Sequence, residues 1–249
     1  MLDVIREREF ARVAELGDEF GVSDVTVRRD IGELADRGHV TRVRGGALSR
    51  PSSAPERSFD ETATAFAREK ERIGAAAAAL VEDGDTVVLD VGTTTTAVAR
   101  ALIARTDLRD VVVFTSALNI ALALEKARGR MTVVVTGGTL RPLQHSLVDP
   151  LGGTILDHIH ATRLFMGCNG VDVLAGVTNV NLPETQMKRR MLGAASQRVV
   201  VADGSKVGLV SLAHVCDLAD VQLLITDESA EREAVDGLRD AGLDVRVAA

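Results

Sequence analysis

Two neighbouring arginines, Arg28 and Arg29, stand in the run Ser23-Asp24-Val25-Thr26-Val27-Arg28-Arg29-Asp30-Ile31. Turned at about 100° per residue, this run puts Val27, Ile31 and Leu34 on one side and Val25, Arg29 and Gly32 on the other. An outward guanidinium offers a two-pronged fork suited to a guanine edge, an outward valine can meet a thymine methyl, and a glycine lets a helix approach a groove floor. Thr26 and Arg28 flank that face, within reach of phosphates on either wall. The plainer alternative is that both arginines solvate a surface helix and pair with Asp30, Glu33 or Asp36.

A second constellation is Asp90-Val91-Gly92-Thr93-Thr94-Thr95-Thr96, between the strand-like run Thr86–Leu89 and a helix expected over 97–103. Such a turn aims backbone N–H groups, hydroxyls and the positive end of a helix dipole at one point, which suits a phosphate; the same threonines would equally serve as a simple helix cap. It has neither the lysine of a Walker loop nor the glycine spacing of a dinucleotide fingerprint. Thr136-Gly137-Gly138, Gly167-Cys168-Asn169-Gly170 and Asp203-Gly204-Ser205-Lys206 also follow strand-like runs, and in an open parallel sheet such ends line one crevice. Glu184 and Lys188 are four apart on a helix opening at Pro183, where they either face that crevice or form a surface pair.

Two kinds of element must hold these groups. Val13, Leu16 and Phe20 repeat as a short helix stopped by Gly21; Ser23 then caps a second helix that ends at Arg37-Gly38. Residues 39–43 alternate as a strand carrying Arg42, and Gly45-Gly46 turns the chain beside Arg44. Helix, tight turn, basic helix and basic hairpin describe a winged helix-turn-helix, over residues 1–50. Residues 51–58, with Pro51 and Pro55, read as a linker. Beyond it, 61–80 reads as one long helix, and strand-like runs at Thr86–Leu89, Val111–Thr115, 131–136, 198–202, 221–226 and 244–247 alternate with helix-length segments. That grammar predicts a doubly wound, mostly parallel α/β domain over 59–249.

Composition bounds the rest. With 249 residues, 46% hydrophobic and 26% charged, the chain can bury its own core, which excludes disordered and low-complexity classes. No apolar run reaches the roughly 20 residues of a membrane span and the N-terminus has no signal-peptide character, so a cytoplasmic protein without membrane attachment is expected. Cys168 and Cys216 have no CxxC partner, so they are expected as buried small residues, with no disulfide, metal or cofactor. The net charge of −7 is unevenly spread: residues 26–50 hold six Arg against three acids, a basic tip on an acidic body.

The run from Val22 to Ile31, with Leu34, Gly38 and Arg42-Val43-Arg44-Gly45-Gly46-Ala47, resembles the DNA-binding domain of DeoR-type transcriptional regulators. The resemblance implies DNA contacts for Thr26, Arg28 and Arg29, and with the reading above the expected contact set is Ser23, Val25, Thr26, Arg28, Arg29, Arg42 and Arg44. The family has several residues, the first of them basic, before the position of Leu2. From Phe59 onward the chain resembles the DeoR-type sensor domain, similar in fold to ribose-5-phosphate isomerase. The matches are Lys70 with Ile73-Gly74, Asp90 to Thr94, Thr136-Gly137-Gly138, Phe165-Met166-Gly167, Glu184 with Lys188, and Ala202 to Lys206.

The resemblance implies a phosphorylated sugar or polyol effector, held at Gly92, Thr93, Thr94 and Thr95 with help from Lys206. It makes Asp90, Glu184 and Asp203 candidates for hydroxyl recognition, with Gly137, Gly138 and Lys188 beside them. Ser116 and Thr162 stand where the family has Asn and Asp, and both are expected near the crevice. The expected function is a sequence-specific regulator, a repressor of a sugar or polyol operon, that binds double-stranded operator DNA as a homodimer or higher oligomer and is not an enzyme. The alternative is a phosphosugar isomerase with an accessory helical domain, using Asp90, Asp203, Glu184 and Lys206 for acid–base chemistry.

Overall fold

The computed structural model describes residues 1, 2, 4, 5, 10–36, 39–43, 45–49, 56–148 and 151–249. Two compact units divide the chain, residues 1–55 and 56–249. Arg44, Arg37-Gly38 and linker residues 51–55 lie outside the described residues.

In the smaller unit, helix α1 spans Val13–Phe20 and helix α2 spans Asp24–Asp36. The turn between them depends on Gly21, whose φ of 63° is left-handed, and on the close approach of Gly17 to the Val22 carbonyl. Strands β1 (Phe10–Arg12), β2 (Val40–Val43) and β3 (Gly46–Ser49) form an antiparallel sheet in the order β1-β3-β2. Ala11, Val13, Leu16, Val27, Ile31, Val40 and Ala47 make the core between helices and sheet. Two expectations are corrected. Phe20, placed on the apolar face by its spacing, is 42% exposed, and Gly46 already pairs with Val43 and Arg12, leaving Gly45 (φ 87°) in the turn.

The larger unit is built on seven parallel strands in the order β15-β14-β12-β9-β4-β5-β6. These are β4 Thr86–Leu89, β5 Val111–Thr115, β6 Met131–Val135, β9 Ala161–Met166, β12 Ala195–Val201, β14 Leu223–Asp227 and β15 Asp244–Ala248. Both faces are covered, and side-chain alternation shows it: Leu89, Phe165, Val199, Val201 and Ile225 enter one core, while Val88, Leu164, Met166, Val200 and Leu224 enter the other. From β4 the chain winds outward through β5 and β6, then returns to β9 on the other side of β4. The strand order therefore reverses between β4 and β9.

The helix expected over 61–80 is two helices, α3 (Phe59–Ala63) and α4 (Ala67–Ala78). Phe66 between them is left-handed at φ 54°. The buried Lys70 ammonium takes the carbonyls of Thr62 (2.8 Å) and Ala65 (2.7 Å), acceptors that a continuous helix would have given to its own N–H groups. Helix α5 runs Thr93–Ala104, so it begins four residues before the expected start, and the threonines are its first turn. Gly74 on α4 lies so close to α5 that an added Cβ would sit 2.6 Å from the Ala97 carbonyl carbon, which explains the small residues there. Helix α6 is Leu118–Leu124, α7 is Leu182–Ala194 and α8 is Arg232–Asp240.

Two features were not expected. A hairpin pairs β7 (Thr139–Arg141) with β8 (Ser146–Val148), and a three-stranded antiparallel sheet joins β10 (Gly170–Asp172), β11 (Gly176–Asn179) and β13 (Ala213–Cys216).

Candidate functional site

The smaller unit presents α2. Val27 and Ile31 are buried in its core, whereas Val25 is 74% exposed and the side chains of Arg28 and Arg29 are 58% and 70% exposed. Ser23 caps the helix, its hydroxyl accepting from Thr26 N at 3.3 Å and lying 3.0 Å from Thr26 Oγ1. Arg28 pairs with Asp24 at 3.3 Å, and Arg29 with Asp30 at 3.3 Å and Glu33 at 3.9 Å. The plainer alternative is thus realised as well, but exposed pairs of this kind are worth roughly 0–1 kcal/mol and give way to a better anion. A Cβ on Gly32 would lie 3.9 Å from an Arg42 guanidinium nitrogen, so Arg42 on β2 stands beside this helix.

In the larger unit, the loops after β4, β5, β6, β9 and β12 all emerge at one end of the sheet, at the reversal point where open α/β sheets bind ligands. Gly92, at φ 133°, precedes α5; the hydroxyls of Thr95 (3.0 Å) and Thr96 (2.7 Å) donate back to its carbonyl oxygen. Thr93 and Thr94 make no side-chain hydrogen bond among the described residues. Asn119 on α6 donates to Thr96 Oγ1 at 3.1 Å, while its Oδ1 is buried without a hydrogen-bond partner.

Across the reversal point, the buried Lys188 ammonium pairs with Asp90 Oδ2 and donates to the Gly167 carbonyl at 2.9 Å, and Gly167 N donates to Asp90 at 3.0 Å. Burial pushes the Asp90 carboxyl up from its ordinary value, against the opposing pull of Lys188. Glu184, one turn before Lys188, is also buried, so the surface pair allowed by spacing is not formed: each binds a group on another element. Glu184 accepts from Ser146 Oγ at 2.7 Å and from Arg141 on the hairpin. Arg141 in turn pairs with Glu56 at 2.6 Å.

Asp203 holds the start of its own turn, accepting from Ser205 N at 3.2 Å, and lies 4.0 Å from Lys70. Burial lowers the Lys70 pKa, against the opposing attraction of Asp203. Lys206 follows in the same turn, after β12. Gly137 and Gly138 follow β6 at φ 79° and 113°, and Gly138 packs against Val148 of the hairpin. Cys216 is buried as expected and Cys168 half-buried; burial pushes both thiols up to about 12.

One expected neighbour is misplaced. Thr162 is the second residue of β9, accepting from Thr86 N at 3.2 Å, at the opposite end of the sheet from the crevice; Ser116, after β5, lies at the crevice end. Arg141, Ser146, Glu56 and Asn181 were missed. The signal for Arg141 is weak, a three-residue strand too short for a period, and Glu56 sits in a stretch that reads as linker. Among the described residues no cluster of His, Cys, Asp and Glu could hold a metal, and no helix is long and apolar enough to cross a membrane.

Residues 1–53 match the DeoR-like helix-turn-helix domain and residues 65–228 match the DeoR C terminal sensor domain. The chain is 32% identical over 236 residues to the HTH-type transcriptional regulator GolR of Listeria innocua, covering 95% of this chain and 91% of that one. It is 29% identical over 229 residues to the lactose phosphotransferase system repressor of Staphylococcus epidermidis, covering 91% and 89%. Among solved structures it is similar to ribose 5-phosphate isomerase A of Methanocaldococcus jannaschii, with 18% identity, 57% of this chain and 55% of that chain covered, and a TM-score of 0.43.

Proposed function

The chain belongs to the DeoR family of transcriptional regulators, and from that premise we propose that it represses a sugar or polyol operon, with a phosphorylated sugar or polyol changing its operator affinity. The observation that carries the DNA half is the division of α2: Val27 and Ile31 are buried, while Val25, Arg28 and Arg29 face outward. On this reading Arg29 and Val25 meet base edges, Ser23, Thr26 and Arg28 meet phosphates, and Arg42 on β2, together with Arg44 two positions on in the sequence, meets the backbone or minor groove. Two copies of the helix-turn-helix unit on a two-fold operator make a homodimer or higher oligomer the working form.

The effector half rests on the crevice at the strand-order reversal. Helix α5 opens there at Thr93, and its first amides have no partner inside the helix, an arrangement suited to phosphate. Gly92, Thr93, Thr94 and Thr95 take the phosphate, joined by Lys206. Asp90, Glu184, Lys188, Asp203, Gly137 and Gly138 shape the rest. The unpartnered Asn119 Oδ1 favours a ligand that brings hydroxyl donors, as a sugar does.

A gel shift at fixed salt tests both halves, using DNA from upstream of the protein's own gene and of the neighbouring operon, with and without sugar phosphates. Retardation altered by one phosphate supports the proposal. Failure to retard any of these fragments at low salt sinks the DNA half; retardation that no phosphate changes sinks the effector half.

A further inference from the structure

Arg141 stands between two carboxylates that belong to very different parts of the larger unit. Glu184 is 8% exposed, rides on α7 one turn before Lys188, and is fixed by the Ser146 hydroxyl at 2.7 Å. Glu56 is the first residue of the unit, the point at which the chain arrives from the helix-turn-helix unit, and apart from Arg141 it is held by an Asn181 contact of 3.4 Å. The same hairpin takes hold of the residues that follow: Gln144 donates to the Arg57 carbonyl at 2.6 Å, and the His145 ring meets the Phe59 ring edge-on at 5.4 Å. The hairpin is also tied to the crevice, since Leu147 N donates to the Ser116 carbonyl at 2.8 Å and Leu118 N to the His145 carbonyl at 3.0 Å.

Of the cations near the crevice, three are already engaged, Lys188 by Asp90, Arg141 by Glu56 and Glu184, and Lys70 by two carbonyls beside Asp203, and Lys206 is the fourth. A phosphate dianion met by Lys206 and the first amides of α5 still has oxygens left with which to compete for one of the three. A planar guanidinium binds phosphate as readily as carboxylate, and of Arg141's two partners Glu56 is the less firmly fixed. We propose that the Glu56–Arg141 ion pair is a latch: a phosphorylated ligand in the crevice takes Arg141 from Glu56 and frees the segment 56–59 that leads back to the helix-turn-helix unit. The latch rests on the sugar-phosphate reading given above. It adds the residue that senses the phosphate and the segment that transmits the news.

The test uses the full chain. Binding of ribose 5-phosphate, fructose 6-phosphate, glycerol 3-phosphate and inorganic phosphate is measured calorimetrically for the wild type, Glu56→Gln and Arg141→Gln. Amide exchange of residues 56–62 is followed in parallel. The phosphate that binds the wild type should bind Glu56→Gln about fivefold or more tightly, because a competitor is gone, and Arg141→Gln about tenfold or more weakly. Saturating it should raise wild-type exchange at 56–62 to the level of unliganded Glu56→Gln, with exchange in the parallel sheet unchanged. Because Arg141→Gln leaves Glu184 short of a partner, Glu56→Gln is the deciding variant. A phosphate that binds both proteins equally, or that leaves exchange at 56–62 unchanged, overturns the latch and leaves the sugar-phosphate reading standing. If none of the four binds the wild type, the sugar-phosphate reading and ligand release fall together.

Discussion

The Lys188 ammonium is paired with the Asp90 carboxylate across the point where the strand order reverses, with both groups out of solvent. Removing one partner of such a pair leaves an uncompensated buried charge, a loss of about 3–5 kcal/mol. Lys188→Met is therefore expected to destabilise the larger unit by about that much at pH 8. The pH dependence follows from Asp90, whose carboxyl burial already raises. A raised acid costs the folded state nothing below its unfolded pKa and progressively more as pH climbs toward its folded one. Without Lys188 the carboxyl is pushed up further, so the gap between wild type and variant should narrow from pH 8 to pH 5. Urea titrations at the two values check this; a gap independent of pH would remove Asp90 from the explanation.

Arg29→Ala should cost roughly 1–3 kcal/mol at one operator position and leave the salt slope nearly unchanged, whereas Arg28→Ala should weaken all sequences alike and reduce the slope by about 1. Binding to a set of single-base operator variants at several salt concentrations separates the two. Exchanged behaviours would mean that α2 is rotated in the groove, with Arg28 in place of Arg29 on the base-facing side.

Thr94→Val keeps volume and removes a hydroxyl in the first turn of α5. The response to effector should weaken while operator affinity without effector stays the same. An undiminished response in the gel shift would take Thr94 out of the site.

Gly74→Ala sets two effects against each other. Helix propensity favours alanine by about 1 kcal/mol, but the new Cβ would lie 2.6 Å from one backbone atom of Ala97 and 2.7 Å from another. Backbone does not step aside as a side-chain tip does, so the clash wins and a net loss of about 1–3 kcal/mol is expected. A denaturation midpoint at or above that of the wild type would contradict the close packing of α4 on α5.

Cys168 and Cys216 hold thiols raised to about 12 by burial. At pH 8 the thiolate, the reacting form, is scarce, and alkylation by iodoacetamide should be slow until the protein is unfolded. Labelling of the native protein at the rate of a small free thiol would show that these sites open readily.

Much of the scaffold was legible because its signals are local. Val27, Ile31 and Leu34 repeat at helical spacing, Gly21 marks the stop before them, and runs such as Val111–Thr115 announce strands buried on both faces. The break at residues 64–66 was not legible, since it is set by Lys70 reaching back for carbonyls, an interaction invisible to periodicity. The β7–β8 hairpin has strands of three residues, below the length at which alternation can be recognised. The crevice residues were found through the ends of strands, but their pairing was not. Arg141 is separated from Glu56 by 85 positions and from Glu184 by 43, and such meetings are decided by strand order alone. Thr162 went astray for the converse reason, a residue of the right strand at the wrong end of it.

The arginines of α2 lean on carboxylates of their own helix, Arg28 on Asp24 and Arg29 on Asp30 and Glu33. If α2 enters a groove as proposed, each of these exposed pairs subtracts at most about 1 kcal/mol from its contact with a duplex. On the proposed reading any duplex can draw Arg28 from Asp24 to a phosphate, and only the matching base draws Arg29 from Asp30 and Glu33. If Arg29 reads a base as proposed, its acidic neighbours make dwell time depend on sequence, since the right base repays the broken pairs and a wrong one does not.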